Sequence, residues 1–288
     1  MVALTTSDRI VDHNSTTPMT VLFPFGRVQS AIIARGRLPM AESAVVLLGS
    51  VALAVSASAQ SILVTNDSFE SPTVPIGVPA WPQVDNWQKN PQPASFNPDD
   101  FGGITWDQLS AGVFPNPSMG EAGYIDNITG SQAGYVWSFP GAGISQELSA
   151  TYQPGLAYRL TVGAFANSDL RQLPDGSFFS ISLYYLDAGS SMTIAMEPVT
   201  YTAAFFSQAD HFYDFTLTTD VVQSGDPWAG QNVGIALSAQ SISGQGFGFW
   251  DVDNVRLTAV PEPSGIGLLV LGLGMGVWLF RQRTAARL

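Results

Sequence analysis

Apolar and polar positions alternate with period two through much of the middle of the chain. Tyr158, Leu160, Val162 and Ala164 are interleaved with Ala157, Arg159, Thr161 and Gly163. Tyr213, Phe215 and Leu217 are interleaved with Asp214, Thr216 and Thr218, and Val233, Ile235 and Leu237 with Gly234, Ala236 and Ser238. Successive side chains of a strand point to opposite faces, so this spacing predicts half-buried β-strands. Ser177–Leu186 is a further β-branched and aromatic run, and Gly134–Phe139 and Ile144–Leu148 read as two strands joined through Pro140-Gly141. Candidate helices of ten or more residues with a clean 3.6-residue period are missing from this middle part. An all-β sandwich follows. Residues 71–120 interrupt the pattern with Pro, Asn, Trp and Gly. So long a loop in a compact domain is usually functional or disordered.

Two apolar runs lie outside the alternation. Ala44–Val55 is too short to span a bilayer and ends in Ala57-Ser58-Ala59, an A-x-A cleavage pattern, so residues 1–59 read as leader and signal peptide with cleavage set by Ala57 and Ala59. Arg35 and Arg37 supply the basic flank, and Met40 is an alternative start, so the initiator stays open. Gly265–Phe280 is an uncharged, glycine-rich run followed by Arg281, Arg283 and Arg287. Its length and basic flank predict one transmembrane helix over 265–280 with its C-terminal side in the cytoplasm. The expected organisation is a leader at 1–59, a sandwich at 60–258 and a tail at 259–288.

Pro261-Glu262-Pro263, the apolar run and the arginine cluster stand in order at the extreme C-terminus. Together they resemble the PEP-CTERM sorting tail of bacterial envelope proteins. The resemblance implies recognition of Pro261, Glu262 and Pro263, with Arg281 and Arg283 behind the helix, by an exosortase-type processing enzyme. It further implies transient membrane anchoring and delivery to the cell surface or extracellular matrix. The other reading is a plain C-terminal anchor, in which Gly272 and Gly276 merely allow close helix packing.

Charge narrows the function classes. The chain of 288 residues carries a net charge of −12, and residues 60–260 hold four bases, Lys89, Arg159, Arg171 and Arg256, among nineteen acids. Nucleic acid and other phosphate-rich partners are disfavoured by that sign. Cysteine is absent, which removes thiolate metal sites, thiol nucleophiles and disulfides. Of the two histidines only His211 falls in the sandwich, among aromatic residues that suit packing better than base catalysis. No G-x-S-x-G elbow occurs, and Asp99, Asp107, Glu121 and Glu147 offer carboxylate pairs only in the sense that any acidic chain does. The expectation is therefore a protein that is not an enzyme.

Asn66-Asp67-Ser68-Phe69-Glu70, Ile144-Ser145-Gln146-Glu147-Leu148 with Pro154-Gly155-Leu156-Ala157-Tyr158-Arg159-Leu160, and Asp253-Asn254-Val255-Arg256-Leu257 occur in that order. This combination resembles the jelly roll of carbohydrate-binding modules and galactose-binding-like domains, with an opening strand, a central hairpin and a closing strand. The resemblance implies a structural Ca²⁺ at Glu70 and Asp253, with Asp251 beside them, clipping the first and last strands together. The other reading is a solvated acidic edge strand. Apolar phase slips between Trp250/Val252 and Val255/Leu257, which predicts a β-bulge near Asp253-Asn254. Trp81, Trp87, Trp106 and Trp228 lie in loop-like contexts and are candidate platforms for neutral polysaccharide, or else loop staples; Trp137 and Trp250 lie in strand patterns and read as core. The reading that follows is an exported, non-catalytic surface or matrix protein that contacts polysaccharide. A purely structural envelope protein and a glycan hydrolase are the alternatives.

Overall fold

The structure is a computed structural model and describes residues 58–166, 173–208, 210–240 and 248–262. Eleven strands, β1 (Gln60–Ile62), β2 (Gln88–Lys89), β3 (Ala111–Pro115), β4 (Gln132–Trp137), β5 (Gly143–Thr151), β6 (Leu156–Ala166), β7 (Phe178–Asp187), β8 (Ser190–Thr200), β9 (Tyr213–Thr218), β10 (Asn232–Gln240) and β11 (Phe249–Pro261), form two antiparallel sheets. The first has the order β3-β4-β11-β6-β9, with β1 also paired to β11, and the second the order β2-β5-β10-β7-β8. Among the described residues helical structure is confined to a 3₁₀ turn at Pro98–Phe101 and the single-turn helix α1 (Trp106–Leu109).

Alternation decides which side chains meet between the sheets. Leu160, Val162 and Ala164 of β6, Val233, Ile235 and Leu237 of β10, and Trp250 and Val252 of β11 are all fully buried. Trp250 stacks on Phe179 of β7 with centroids 5.6 Å apart. Each such aliphatic side chain contributes roughly 1.5–3 kcal/mol on leaving water. The expected core positions Trp137 and Trp250 are buried, and the predicted bulge is present. Register shifts between Asp253 and Arg256, Asn254 takes φ +53°, and the Val255 N–H is turned out to the Asp67 carbonyl at 2.8 Å. First and last strands are adjacent, with Gln60 opposite Ala259.

Three expectations are corrected. β4 and β5 do not pair with each other: Pro140-Gly141 carries the chain from the first sheet to the second. β5 and β6 likewise lie in opposite sheets, so the central segment is no hairpin. The opening strand stops at Ile62, because Asn66 and Phe69 adopt positive φ and fold residues 65–68 into a turn.

The 71–110 segment is a packed cover. Gln132 donates to the Phe69 and Pro72 carbonyls and accepts from the Val74 N–H, while Gln146 donates to the Thr65 and Asn86 carbonyls. Two buried amides thus satisfy backbone groups that the irregular chain leaves without a ladder. Lys89 donates to the Pro82 and Asp107 carbonyls, and burial holds its ammonium below the usual lysine range against the opposing pull of Asp107. Phe96, Phe101 and Trp106 close over Trp137, which projects from the face of the first sheet turned away from the second.

Among the described residues no helix is long and apolar enough to cross a membrane. The expected helix over 265–280, together with Ala57, Pro263, Arg281 and Arg283, lies outside the described residues. Ala59 immediately precedes β1. Pro261 pairs with Leu156 at the end of β11, and the Glu262 N–H donates to the Gly155 carbonyl at 3.2 Å.

Candidate active site

Trp250 and Val252 point into the core, so Asp251 and Asp253 point to the opposite face of the first sheet, where Pro79, Ala80, Gln108 and Leu109 lie near Asp251 and Thr129 lies on Asp253. Strand pairing sets their neighbours. Across the sheet, Gly112 of β3, Tyr135 of β4, Asp251 of β11 and Phe165 of β6 stand in one row. Tyr135 and Asp251 are directly opposed on this face, and the Tyr135 ring lies over Gly112 on the β3 side. Phe249 meets the Tyr135 ring edge to face at 5.3 Å.

Above this row is a cavity of about 260 Å³, lined by Pro79, Ala80, Gln108, Leu109, Phe114, Tyr135, Phe249 and Asp251. Its walls are apolar. Asp251 is 3% exposed, and burial pushes the Tyr135 hydroxyl up to about 12. The hydroxyl is therefore a proton holder and hydrogen-bond donor at neutral pH. Gly112 makes room for it. A Cβ there would stand 2.3 Å from the Trp81 carbonyl oxygen and 2.5 Å from the Tyr135 hydroxyl. The roof is docked at the same point, where Trp81 and Val113 exchange both backbone hydrogen bonds, at 2.7 and 2.9 Å.

One strand position pair further along the same face is a polar cavity of about 320 Å³, whose lining includes Asn127, Gly163, His211, Asp214 and Asp253. Asp253 is 1% exposed. Its Oδ2 accepts from the Thr129 N–H at 2.6 Å, whereas its Oδ1 has no hydrogen-bond partner. Burial pushes this carboxyl up to about 7, helped by the charges of Glu70 and Asp67 and opposed by backbone N–H donors. A strap crosses above: Asp126 pairs with His211 Nδ1 at 2.9 Å, and Asn127 bonds both the N–H and the carbonyl of Phe212. Beyond it Glu70 accepts from the Ser131 and Gln132 N–H groups and the Ser131 hydroxyl, all at 2.8 Å.

These positions revise the sequence-based sites. Glu70, Asp251 and Asp253 do not make one metal cluster, and among the described residues no group of three or more His, Asp or Glu side chains is placed to hold an ion. Asp251 sits instead on the floor of the apolar cavity. Asp253, with an orphaned buried oxygen and Glu70 nearby, still has the donor chemistry a hard cation requires. Trp87 and Trp106 are corrected to anchors: both are buried, with indole N–H groups on the Asn66 and Asn90 carbonyls, and offer no ring face to a sugar. Trp81 is half-buried at the edge of the roof, and Trp228 is half-buried at a separate place on the second sheet. Tyr135 and Phe249 were not anticipated; the signal available was the outward phase shared by Phe249 and Asp251.

The family profile described as HpiC1 cyclase matches residues 60–258, and the chain belongs to this HpiC1-like family. A search of curated proteins finds no match. Among solved structures, an apo cyclase from Fischerella sp. aligns at 23% identity and TM-score 0.53, over 73% of this chain and 100% of its own. A cyclase from Fischerella sp. TAU in complex with 4-(1H-indol-3-yl)butan-2-one aligns at 25% and 0.53, covering 71% and 100%. The Stig cyclase Fisc from the same organism, in complex with (3Z)-3-(1-methyl-2-pyrrolidinylidene)-3H-indole, aligns at 25% and 0.51, covering 71% and 99%. Membership in a family of cyclases overturns the expectation of a non-catalytic surface protein. Absence of the familiar hydrolase motifs was weak ground for it, since a reaction that only moves protons and closes a ring needs none of them.

Proposed function

We propose that this chain is a cyclase in which Asp251 is the general acid and the apolar cavity holds an aromatic, indole-sized substrate. The observation that carries the reading is a buried carboxyl on the floor of an otherwise apolar cavity that a protonated phenol also lines. A cyclisation is an isomerisation, so the proton given at the start is recovered at the end. Asp251 donates to an electron-rich double bond of the substrate, the resulting cation is attacked by a second unsaturated carbon of the same molecule, and a proton leaves the new ring to the carboxylate. Tyr135, which lines the same cavity, donates a hydrogen bond to the substrate while charge develops. Phe249 and Phe114 pack the aromatic part and exclude water that would otherwise trap the cation. The two indole complexes of related cyclases support an indole ring as the occupant.

The test uses 4-(1H-indol-3-yl)butan-2-one as a binding probe and 3-substituted indoles with an unsaturated side chain as substrates. Binding that Phe249→Ala weakens, and an isomer of unchanged mass that Asp251→Asn does not form, would support the reading. Failure of the probe to bind, with no isomer from any substrate, would overturn it.

A structural Ca²⁺ is part of the same proposal, with Asp253 Oδ1 and Glu70 as the carboxylate ligands. The ion would neutralise charge at a buried acid and tie the chain start to β11. The strand order, with first and last strands adjacent, supports reading the sandwich as a jelly roll. The order of Pro-Glu-Pro box, apolar run and arginines supports export, exosortase processing and a surface or matrix location for the enzyme.

A further inference from the structure

A third cavity, of about 540 Å³, lies between the β7–β8 hairpin and the 220–228 loop that follows β9, and shares no lining residue with the other two. The β7–β8 side contributes Tyr185, Met192 and Ile194, and the loop side contributes the Trp228 ring. The same loop side also presents Asp220, Gln223 and Asp226, and among the described residues no base lines the cavity. The register shift between Leu183 and Tyr184 leaves Ile194 as the extra residue of β8 beside this space.

The loop wall is held before any ligand arrives. Trp228 stands edge-on to buried Tyr152, centroids 5.1 Å apart. The Gly230 N–H donates to the Tyr152 carbonyl at 2.7 Å, and the Tyr152 N–H to the Gln231 carbonyl at 2.9 Å. Asp226 Oδ2 accepts from the Gln223 N–H at 2.7 Å, which fixes one carboxylate at the rim.

We propose that this cavity binds a neutral saccharide, apart from the site of cyclisation. A sugar unit has an apolar C–H face and a rim of hydroxyls, and the lining combines an aromatic ring and apolar side chains with planar polar groups. Its volume falls within the usual range for ligand sites, roughly 300–1,000 Å³, and far exceeds what a small ammonium group would fill. The acidic lining disfavours anionic glycans. The consequence is an enzyme that can be held on polysaccharide while its roofed cavity stays open to substrate.

The full chain is titrated calorimetrically with cellohexaose, xylohexaose and β-1,4-galactotriose, and separately with choline. The expected result is saturable binding of at least one oligosaccharide, unchanged when the indole butanone probe is also present. Trp228→Ala or Asp220→Ala should weaken it by about tenfold, the equivalent of roughly 1.4 kcal/mol. Asp220 is exposed, so its variant tests the site without disturbing the Tyr152 packing, and circular dichroism confirms the fold of both. No saturable binding to any of the three sugars overturns the proposal, as does binding untouched by both substitutions. Preferential binding of choline assigns the cavity to cations and overturns it equally.

Discussion

Asp251 and Asp253 are two residues apart on one strand and point to the same face, yet they occupy opposite chemical settings. Asp251 lies between Tyr135 and Phe165, under a roof of Pro79, Ala80 and Leu109. Asp253 lies opposite Gly163, whose lack of a side chain leaves room, with Thr129, Asp214 and His211 around a polar cavity. The difference comes from the neighbouring strands and the segments laid over them. A strand gives every second residue a common direction, and the cross-strand partner decides what that residue can do. One carboxyl is thereby equipped to pass a proton to an apolar substrate, the other to take a cation.

Exchanging one oxygen of Asp251 for nitrogen should break the comparison most sharply. Asp251→Asn keeps shape and polarity but cannot cycle a proton, and general acid catalysis typically contributes 10²–10⁴-fold. The expected outcome is a loss of about a thousandfold in isomer formation, followed by chromatography, with binding of the indole probe retained. Equal turnover in Asp253→Asn and Asp251→Asn would show that the two sites are not divided as argued.

Asp253 makes the opposite prediction, on stability and pH. Its carboxyl titrates near 7 when folded against 3.8 ordinarily, chiefly because burial disfavours the charge. Between these values the folded protein holds a proton at Asp253 that the unfolded chain has lost, so the contribution of this group is full below about pH 4 and is lost as pH rises towards 7. The full effect is on the order of 4 kcal/mol. Urea midpoints at pH 4, 5.5 and 8 in a chelator should trace the decline, and Asp253→Asn should flatten it. Added Ca²⁺ should raise the midpoint at pH 8 more than at pH 4, because only the ionised carboxylate is a strong ligand.

How much of this contrast could be read in the sequence depends on whether the cause is local. β6, β9 and β10 follow directly from alternation, and the bulge at Asp253-Asn254 from the phase slip in Trp250–Leu257, because a strand records its own facing. Tyr135 opposite Asp251 is not recorded that way: the pair is 116 positions apart and exists only once β4 and β11 are in register. The crossing between sheets at Pro140-Gly141 looked like a hairpin because Pro-Gly marks a reversal without saying which sheet receives the chain. β8 escaped notice because both its faces are largely exposed and its Met192 and Met196 follow no buried phase. Trp87 and Trp106 looked like loop residues because the segment is irregular in backbone, although Trp87 stacks on Phe69 and Trp106 packs with Phe96 and Trp137.

Gly112→Ala sharpens the comparison from the roof side. The added methyl meets the Trp81 carbonyl, a backbone atom that can yield only by undocking the bridge to Val113. Overpacking of this kind costs roughly 1–3 kcal/mol. Thermal melting should show that loss, and calorimetry should show weaker binding of the indole probe. The pH dependence assigned to Asp253 should persist, since its cavity shares no lining residue with the apolar one.

Glu70 gives the smallest and most local effect. Its carboxylate accepts three hydrogen bonds from Ser131 and Gln132, and Gly130 lies so close that a Cβ there would be 2.4 Å from its Oε1. Glu70→Gln keeps one oxygen acceptor but turns an amide N–H₂ towards a donor, at a cost of about 1–2 kcal/mol. Chelation should lower the melting temperature of the unsubstituted protein, and this shift should largely disappear in the variant because one carboxylate ligand is gone. Turnover should change little, because the strap held by Glu70 covers Asp253 while the roof over Asp251 is docked independently through Trp81. A large loss of activity in Glu70→Gln, with unchanged melting, would mean that the two cavities are coupled through β11 and that their separation is only geometric.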